Sequence, residues 1–144
     1  MTDCVFCDIL NGAPAKWVAQ HETAVAFLPL AEGSLAPGHT LVLPRKHSIG
    51  VLDAEEDDLS ATMRLVSEVG RAMTTALGAE GVVVLNASGP ATGQSVPHLH
   101  FHVVPCWYDD EVTFWPSDKS AHLIEGDVHK LLSASMTEKN IQTF

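Results

Sequence analysis

Between Val96 and Val104 the chain reads VPHLHFHVV, in which Leu99, Phe101 and Val103 alternate with His98, His100 and His102. A strand sorts neighbours in this way, because successive side chains point to opposite faces of a sheet. This stretch is therefore a strand with one apolar face for a core. On its other face the histidines stand about 6.5–7 Å apart. Those histidines have three readings. On a solvated sheet face they carry no chemistry. As three ligands with an open position they make a catalytic zinc site. As a nucleophile toward phosphorus, an imidazole nitrogen splits a difficult displacement into two easier steps through a covalent intermediate. Backbone N–H groups of the glycine-containing loop SGPATGQS, residues 88–95, would then hold the phosphate oxygens. Three histidines in strict alternation, flanked by that loop and by Pro97, weigh against the first reading.

A second periodicity runs through Leu59, Met63, Val66, Val69, Met73 and Leu77, which recur at helical spacing. Asp53 is the expected N-cap, Glu56 completes a capping box, and Gly78 is the expected stop. TAVAFLPL (23–30) reads as a strand interrupted by Pro29, HTLVLPRKH (39–47) as a strand closed by Pro44, and GVVVLNA (81–87) as a buried strand. DCVFCDILNG is a short N-terminal helical turn, and GDVHKLLSAS carries a last helix. Strands, one long helix, then more strands predict an α+β fold: a mainly antiparallel sheet of about five strands with the helix packed on one face. The length of 144 residues suits one domain spanning 1–144, with a core of about 3–107 and a C-terminal extension of 108–144.

A net charge of −10 offers nucleic acid and anionic lipid no bulk attraction. It leaves room for one local phosphate site. No apolar run is long enough to span a membrane, and no basic segment leads into an apolar one at the N-terminus, so the expected compartment is the cytoplasm. Three cysteines, an odd number, argue against a disulfide framework. Cys4 and Cys7 form a C-x-x-C pair suited to a metal or a redox site, and no βαβ pattern surrounds it to favour a thioredoxin-like role. Cys106 reads as a buried thiol, and His21, His122 and His129 as surface residues.

HLHFHVV resembles the signature of the histidine-triad family, His-Φ-His-Φ-His-Φ-Φ with Φ apolar. LNASGPATGQSVP resembles that family's approach to the triad, PGHTLVLPRKH its other well-marked segment, and CVFCDILNG the N-terminus of its zinc-carrying members. The likeness covers most of residues 3–107. It implies a nucleotide hydrolase that cleaves a phosphate bond next to a nucleoside monophosphate through a nucleotidyl-histidine. The substrate would be a purine nucleotide of the phosphoramidate or dinucleoside polyphosphate type. By the resemblance His100 is the nucleophile, His102 contacts the scissile phosphate, His39 lies beside the nucleophile, and Ser95 and Gln94 lie by the phosphate and leaving group. Gly93 allows close backbone approach, Asn86 contacts the nucleotide, and Val5, Phe6, Ile9, Phe27 and Leu30 form the base pocket. Cys4, Cys7, His47 and His98 make a Cys2His2 set for a structural zinc, with no catalytic metal required. A homodimer is expected. Pro29 departs from the pattern, standing where many members carry an Asp or Asn for the ribose hydroxyls. The ribose contact is then lost or moved to Glu32. Rival readings of the same site are a nucleotidyltransferase with a non-water acceptor, a nucleotide-binding or sensing protein, and a zinc hydrolase built on His98, His100 and His102.

Overall fold

The computed structural model describes residues 3–142, and from residue 137 onward the backbone alone. In chain order it contains α1 (Val5–Leu10), β1 (Trp17–Gln20), β2 (Ala24–Phe27), a 3-10 turn at Ala31–Gly33, β3 (Thr40–Pro44), α2 (Glu56–Leu77), β4 (Gly81–Leu85), β5 (Phe101–Cys106) and α3 (Val128–Gln142). The five strands form one antiparallel sheet in the order β1-β2-β3-β5-β4, the α+β architecture expected from the sequence. Two compact units emerge, Met1–Val112 and Thr113–Phe144. In the second, Asp127 Oδ1 accepts from the Lys130 N–H at 3.1 Å, and Val128, Leu131, Leu132 and Met136 of α3 are exposed.

Within the first unit the period-2 pattern divides the apolar residues between the two faces of the sheet. Ala24, Ala26, Val42, Leu99, Phe101 and Val103 pack with Leu65, Val66, Val69 and Met73 of α2. Val25, Phe27, Leu41 and Leu43 face the other way and pack with Cys4 and Phe6 around α1. The histidine face of β5 is on this second side. The sheet is thus covered on both faces, by a long helix on one and a short one on the other.

Four details depart from the sequence reading. Asp53 does not cap α2. Glu55 is the N-cap, and the Asp53 carboxylate accepts from the Ile49 and Gly50 N–H groups at 2.9 and 2.8 Å, closing a turn before the helix. β4 lies at the sheet edge and is only half-buried, with Val82 and Val84 exposed. Met63 and Leu77 stand on the exposed flank of α2, where Thr62 and Gly70 take the seam instead. β1 was not foreseen: its alternation is short, and it pairs with β2 through an irregularity between Trp17 and Ala19.

Gly78 ends α2 in the left-handed region, at φ 67°, and the next residue, Ala79, donates its N–H to the Met73 carbonyl at 3.3 Å. A Cβ there would meet nothing within 4 Å, so an alanine pays only the conformational penalty. Gly78→Ala is expected to destabilise the fold by about 1 kcal/mol and to lower Tm by roughly 3–4 °C. A thermal melt unchanged from the parent would contradict this.

Candidate active site and metal centre

The histidines cluster where the ladders of β5 run out. His98 and His100 precede the regular strand and His102 lies within it; His98 is 0% and His100 5% exposed. They are therefore far from solvated. α1 lies over them and places the Phe6 ring edge-on against His100 at 5.0 Å and against His98 at 6.0 Å. Phe27 supports Phe6 from behind at 5.5 Å.

Four hydrogen bonds assign the ring protons. The His100 ring donates from Nδ1–H to the His98 carbonyl at 2.7 Å, which leaves Nε2 with a free lone pair. His39 accepts the Leu35 N–H on Nδ1 at 3.0 Å, so its own proton is on Nε2. That proton is donated to His102 Nδ1 at 2.9 Å, which puts the His102 proton on Nε2. The His98 ring donates Nε2–H to the Pro44 carbonyl at 2.8 Å and presents Nδ1 to the cysteines. Burial lowers the pKa of His39, His98 and His100, and takes His102 down from 6.5 to about 4 with the charges of His100 and His39 adding to the effect. All four rings are neutral at pH 7. The site thus holds one imidazole with a bare nitrogen, His100, with the rings of His100 and His102 5.0 Å apart.

A histidine with a depressed folded pKa contributes stability above its unfolded value and loses it as pH falls. For His102 that window runs from about pH 6.5 down to about 4. Urea titrations across this range are expected to show stability falling as pH drops, and His102→Asn is expected to flatten part of the decline. A decline of the same slope in the variant would assign it elsewhere.

The remaining expected site residues fall into three groups. Of the two amides in the 86–97 segment Asn86 reaches the cluster, and both already have partners. Asn86 Nδ2–H donates to the His100 carbonyl at 2.9 Å. Gln94 Nε2 donates to the Val96 carbonyl at 2.9 Å and to the Ile49 carbonyl, while its Oε1 accepts the Gly89 N–H at 2.8 Å. Ser95 and Gly93 are exposed on the same loop, which adopts positive φ at Gly89, Ala91 and Gly93. Ala91 carries a side chain in that conformation at about 1 kcal/mol of strain, a cost that concentrates at functional loops. Of the base-pocket residues, Phe6 and Phe27 are buried and Ile9 is half-buried, whereas Val5 is 53% and Leu30 76% exposed. Pro29 is half-buried and Glu32 exposed. His21, His122 and His129 are on the surface, and Cys106 is half-buried rather than buried.

Cys4, Cys7, His47 and His98 come together with one ligand atom each, all within 4.8 Å of one another. Cys4 Sγ lies 3.6 Å from His98 Nδ1, and Cys7 Sγ lies 3.5 Å from His98 Nδ1 and 3.3 Å from His47 Nδ1. Spacing alone shows the C-x-x-C pair; the two histidines expected from the family resemblance, His47 and His98, are the ones that join it. α1 and the ends of β3 and β5 make that selection. Four soft or borderline donors converging on one point are suited to a metal ion.

Comparison with known proteins agrees with this geometry. The HIT-domain family pattern matches residues 11–107. A HIT-like protein of Saccharolobus solfataricus is 37% identical over 108 residues, covering 74% of this chain and 76% of its own. The adenosine 5′-monophosphoramidase hnt1 of Schizosaccharomyces pombe is 34% identical over 103 residues, covering 71% of this chain and 73% of its own. A crystal structure of a Zn-bound histidine triad family protein from Mycobacterium smegmatis superposes with a TM-score of 0.73 at 30% identity, covering 81% of this chain and 84% of that one. Alternating histidines with the first two buried, a single bare imidazole nitrogen and the matching pattern over two thirds of the sequence have one meaning: this chain belongs to the histidine-triad (HIT) family.

Proposed function

We propose that this chain is a nucleotide hydrolase that cleaves a phosphate bond next to a nucleoside monophosphate through a nucleotidyl-histidine on His100. One observation carries the reading: the Nδ1–H of His100 is tied to the His98 carbonyl at 2.7 Å, which leaves Nε2 free to attack. In the first step Nε2 forms a bond to phosphorus, and the leaving group departs with the electron pair of the broken bond and takes up a proton. In the second, water displaces the histidine and nucleoside monophosphate is released. His102 turns its Nε2–H toward the phosphate, held there by the hydrogen bond from His39. Ser95 and Gly93 would meet the phosphate and leaving group. Asn86 and Gln94 would serve it through the loops that their amides already hold. Phe6, Ile9, Phe27 and Leu30 would receive the base, with a purine nucleoside phosphoramidate or dinucleoside polyphosphate as substrate. The phosphoramidase activity named for the fission-yeast relative supports the phosphoramidate.

The metal of Cys4, Cys7, His47 and His98 is, in this reading, a structural zinc. Zn–S and Zn–N bonds of about 2.3 and 2.1 Å at tetrahedral angles put sulfur and nitrogen about 3.6 Å apart, against the 3.3 to 3.6 Å between the cysteine and histidine atoms. Four protein ligands leave no open position, and His100 works without a metal. The unit Met1–Val112 contains the whole site, and the residues beyond it extend the same functional domain. The half-exposed edge strand β4, with Val82 and Val84 outward, supports a homodimer, and light scattering of the eluted protein measures its mass. Among the described residues no helix is long and apolar enough to cross a membrane, which is compatible with the proposed cytoplasmic location.

The test is to trap the intermediate. Protein mixed with adenosine 5′-phosphoramidate and quenched in acetone should gain one adenylyl mass. Turnover with no covalent adduct at any quench time would overturn the mechanism.

A further inference from the structure

We propose that Ser88 is a positioning residue for His100, and that the turn at residues 48–53 acts on the nucleophile through it; this rests on the nucleotidyl-transfer reading above. The ladder between β4 and β5 ends at Leu85 opposite His102, and the ladder between β3 and β5 ends at Val42 opposite Phe101. His100 stands one residue past the last pair on the β3 side and two past it on the β4 side. Its carbonyl is nevertheless bonded, because Asn86, the residue after β4, donates its side-chain Nδ2–H to it at 2.9 Å. A side-chain amide thus continues the sheet by one rung, at the residue that must be held most firmly.

An amide can flip, and Ser88 decides which way this one faces. The Ser88 hydroxyl donates to Asn86 Oδ1 at 2.7 Å, which turns Nδ2 toward His100. The same oxygen accepts the Val51 N–H at 2.9 Å. Its donor and its acceptor side are both engaged, so its orientation is set from outside the active site. The partner turn is rigid: Asp53 takes the N–H groups of Ile49 and Gly50, and Gln94 binds the Ile49 carbonyl. Gly50 lies directly against Ser88. A Cβ at Gly50 would come within 2.5 Å of Ser88 Cβ and Oγ and 2.9 Å of Ser88 Cα, so only glycine lets the two segments meet. The path from turn to nucleophile is then Val51 N–H, Ser88 Oγ, Asn86 amide, His100 peptide. A shift in any link reorients the His100 backbone and the Nδ1–H bond that keeps Nε2 free.

Two kinds of measurement test this. In rapid-quench adenylylation, Ser88→Ala, which keeps the Cβ against Gly50 and removes only the hydroxyl, is expected to slow adduct formation by about tenfold with nucleotide Kd within about twofold of the parent, the signature of lost orientation rather than lost binding. Gly50→Ala, with the hydroxyl intact but displaced, is expected to do the same. Ser88→Ala added to Asn86→Ala should cost nothing further, because both act through one link. Spectra of 15N-histidine-labelled protein, recorded without substrate, should show the ring nitrogens of His100 changed in Ser88→Ala and those of His102 unmoved. Adenylylation at the parental rate, unaltered His100 nitrogens, or losses that add in the double variant would each overturn the proposal. A parent that forms no adduct, while its His100 signals still respond to Ser88→Ala, would sink the hydrolase reading and leave the positioning role standing.

Discussion

His100→Ala is expected to form no adenylyl adduct and to lose hydrolysis by roughly four to six orders of magnitude, the scale on which hydrolases lose rate when a covalent nucleophile is removed. The loss should appear in kcat, with nucleotide affinity nearly intact, because the ring binds only in the transition state and the intermediate. The fold should survive. His100 packs beside Phe6 and its ring donates to the His98 carbonyl; an alanine removes that ring and that bond but keeps the backbone carbonyl that Asn86 holds. His102→Ala should behave differently: the nucleophile remains, so an adduct forms slowly. Measuring adduct and turnover in both variants separates the roles. An adduct of undiminished yield in His100→Ala would move the nucleophile to another residue and refute the assignment.

Zinc removal should have the second large effect, on stability. With free zinc at about a thousand times its dissociation constant, binding to the native state alone contributes about 4 kcal/mol, or roughly 10–16 °C in Tm for a domain of this size. Chelation should lower Tm by that amount and release one zinc per chain into a chromogenic chelator, and Cys7→Ser should reproduce the Tm loss. Zinc affinity should also fall with pH. Burial, with Cys4 beside it, pushes the metal-free Cys7 thiol up to about 11, and the ligand must give up its proton to bind. Below the lowered Tm the chelated protein should still form the His100 adduct. Loss of turnover on chelation with Tm unchanged would instead support a catalytic zinc on the three histidines.

Much of the fold was legible from local chemistry. The alternation of Leu99, Phe101 and Val103 does pack against α2, because period 2 leaves a strand no other way to bury three apolar residues on one face. Val66, Val69 and Met73 do form the buried stripe of that helix. The misreadings came where tertiary partners outweighed local preference. Asp53 had the right spacing for a cap, yet two nearer N–H groups in the preceding turn captured its carboxylate. GVVVL is as apolar as an inner strand, but the strand order leaves it at the edge. The hydrogen bonds that the Asn86 and Gln94 amides make with the protein itself likewise depend on loops that meet only in the fold.

The sequence by itself determined that the three histidines alternate with apolar residues along an extended segment, since extended backbone sends alternate residues to the same side, although only His102 lies within β5 itself. It also determined that a long amphipathic helix would cover the opposite face. Only the tertiary structure decided that the histidine face is roofed by α1. It also decided that the first histidine joins Cys4, Cys7 and His47 while the second keeps a bare nitrogen. Which ring nitrogen carries the proton depends on the carbonyl or N–H group within 3 Å of it. For His98 and His102 those partners, Pro44 and His39, come from segments 54 and 63 residues away, and no local pattern encodes them.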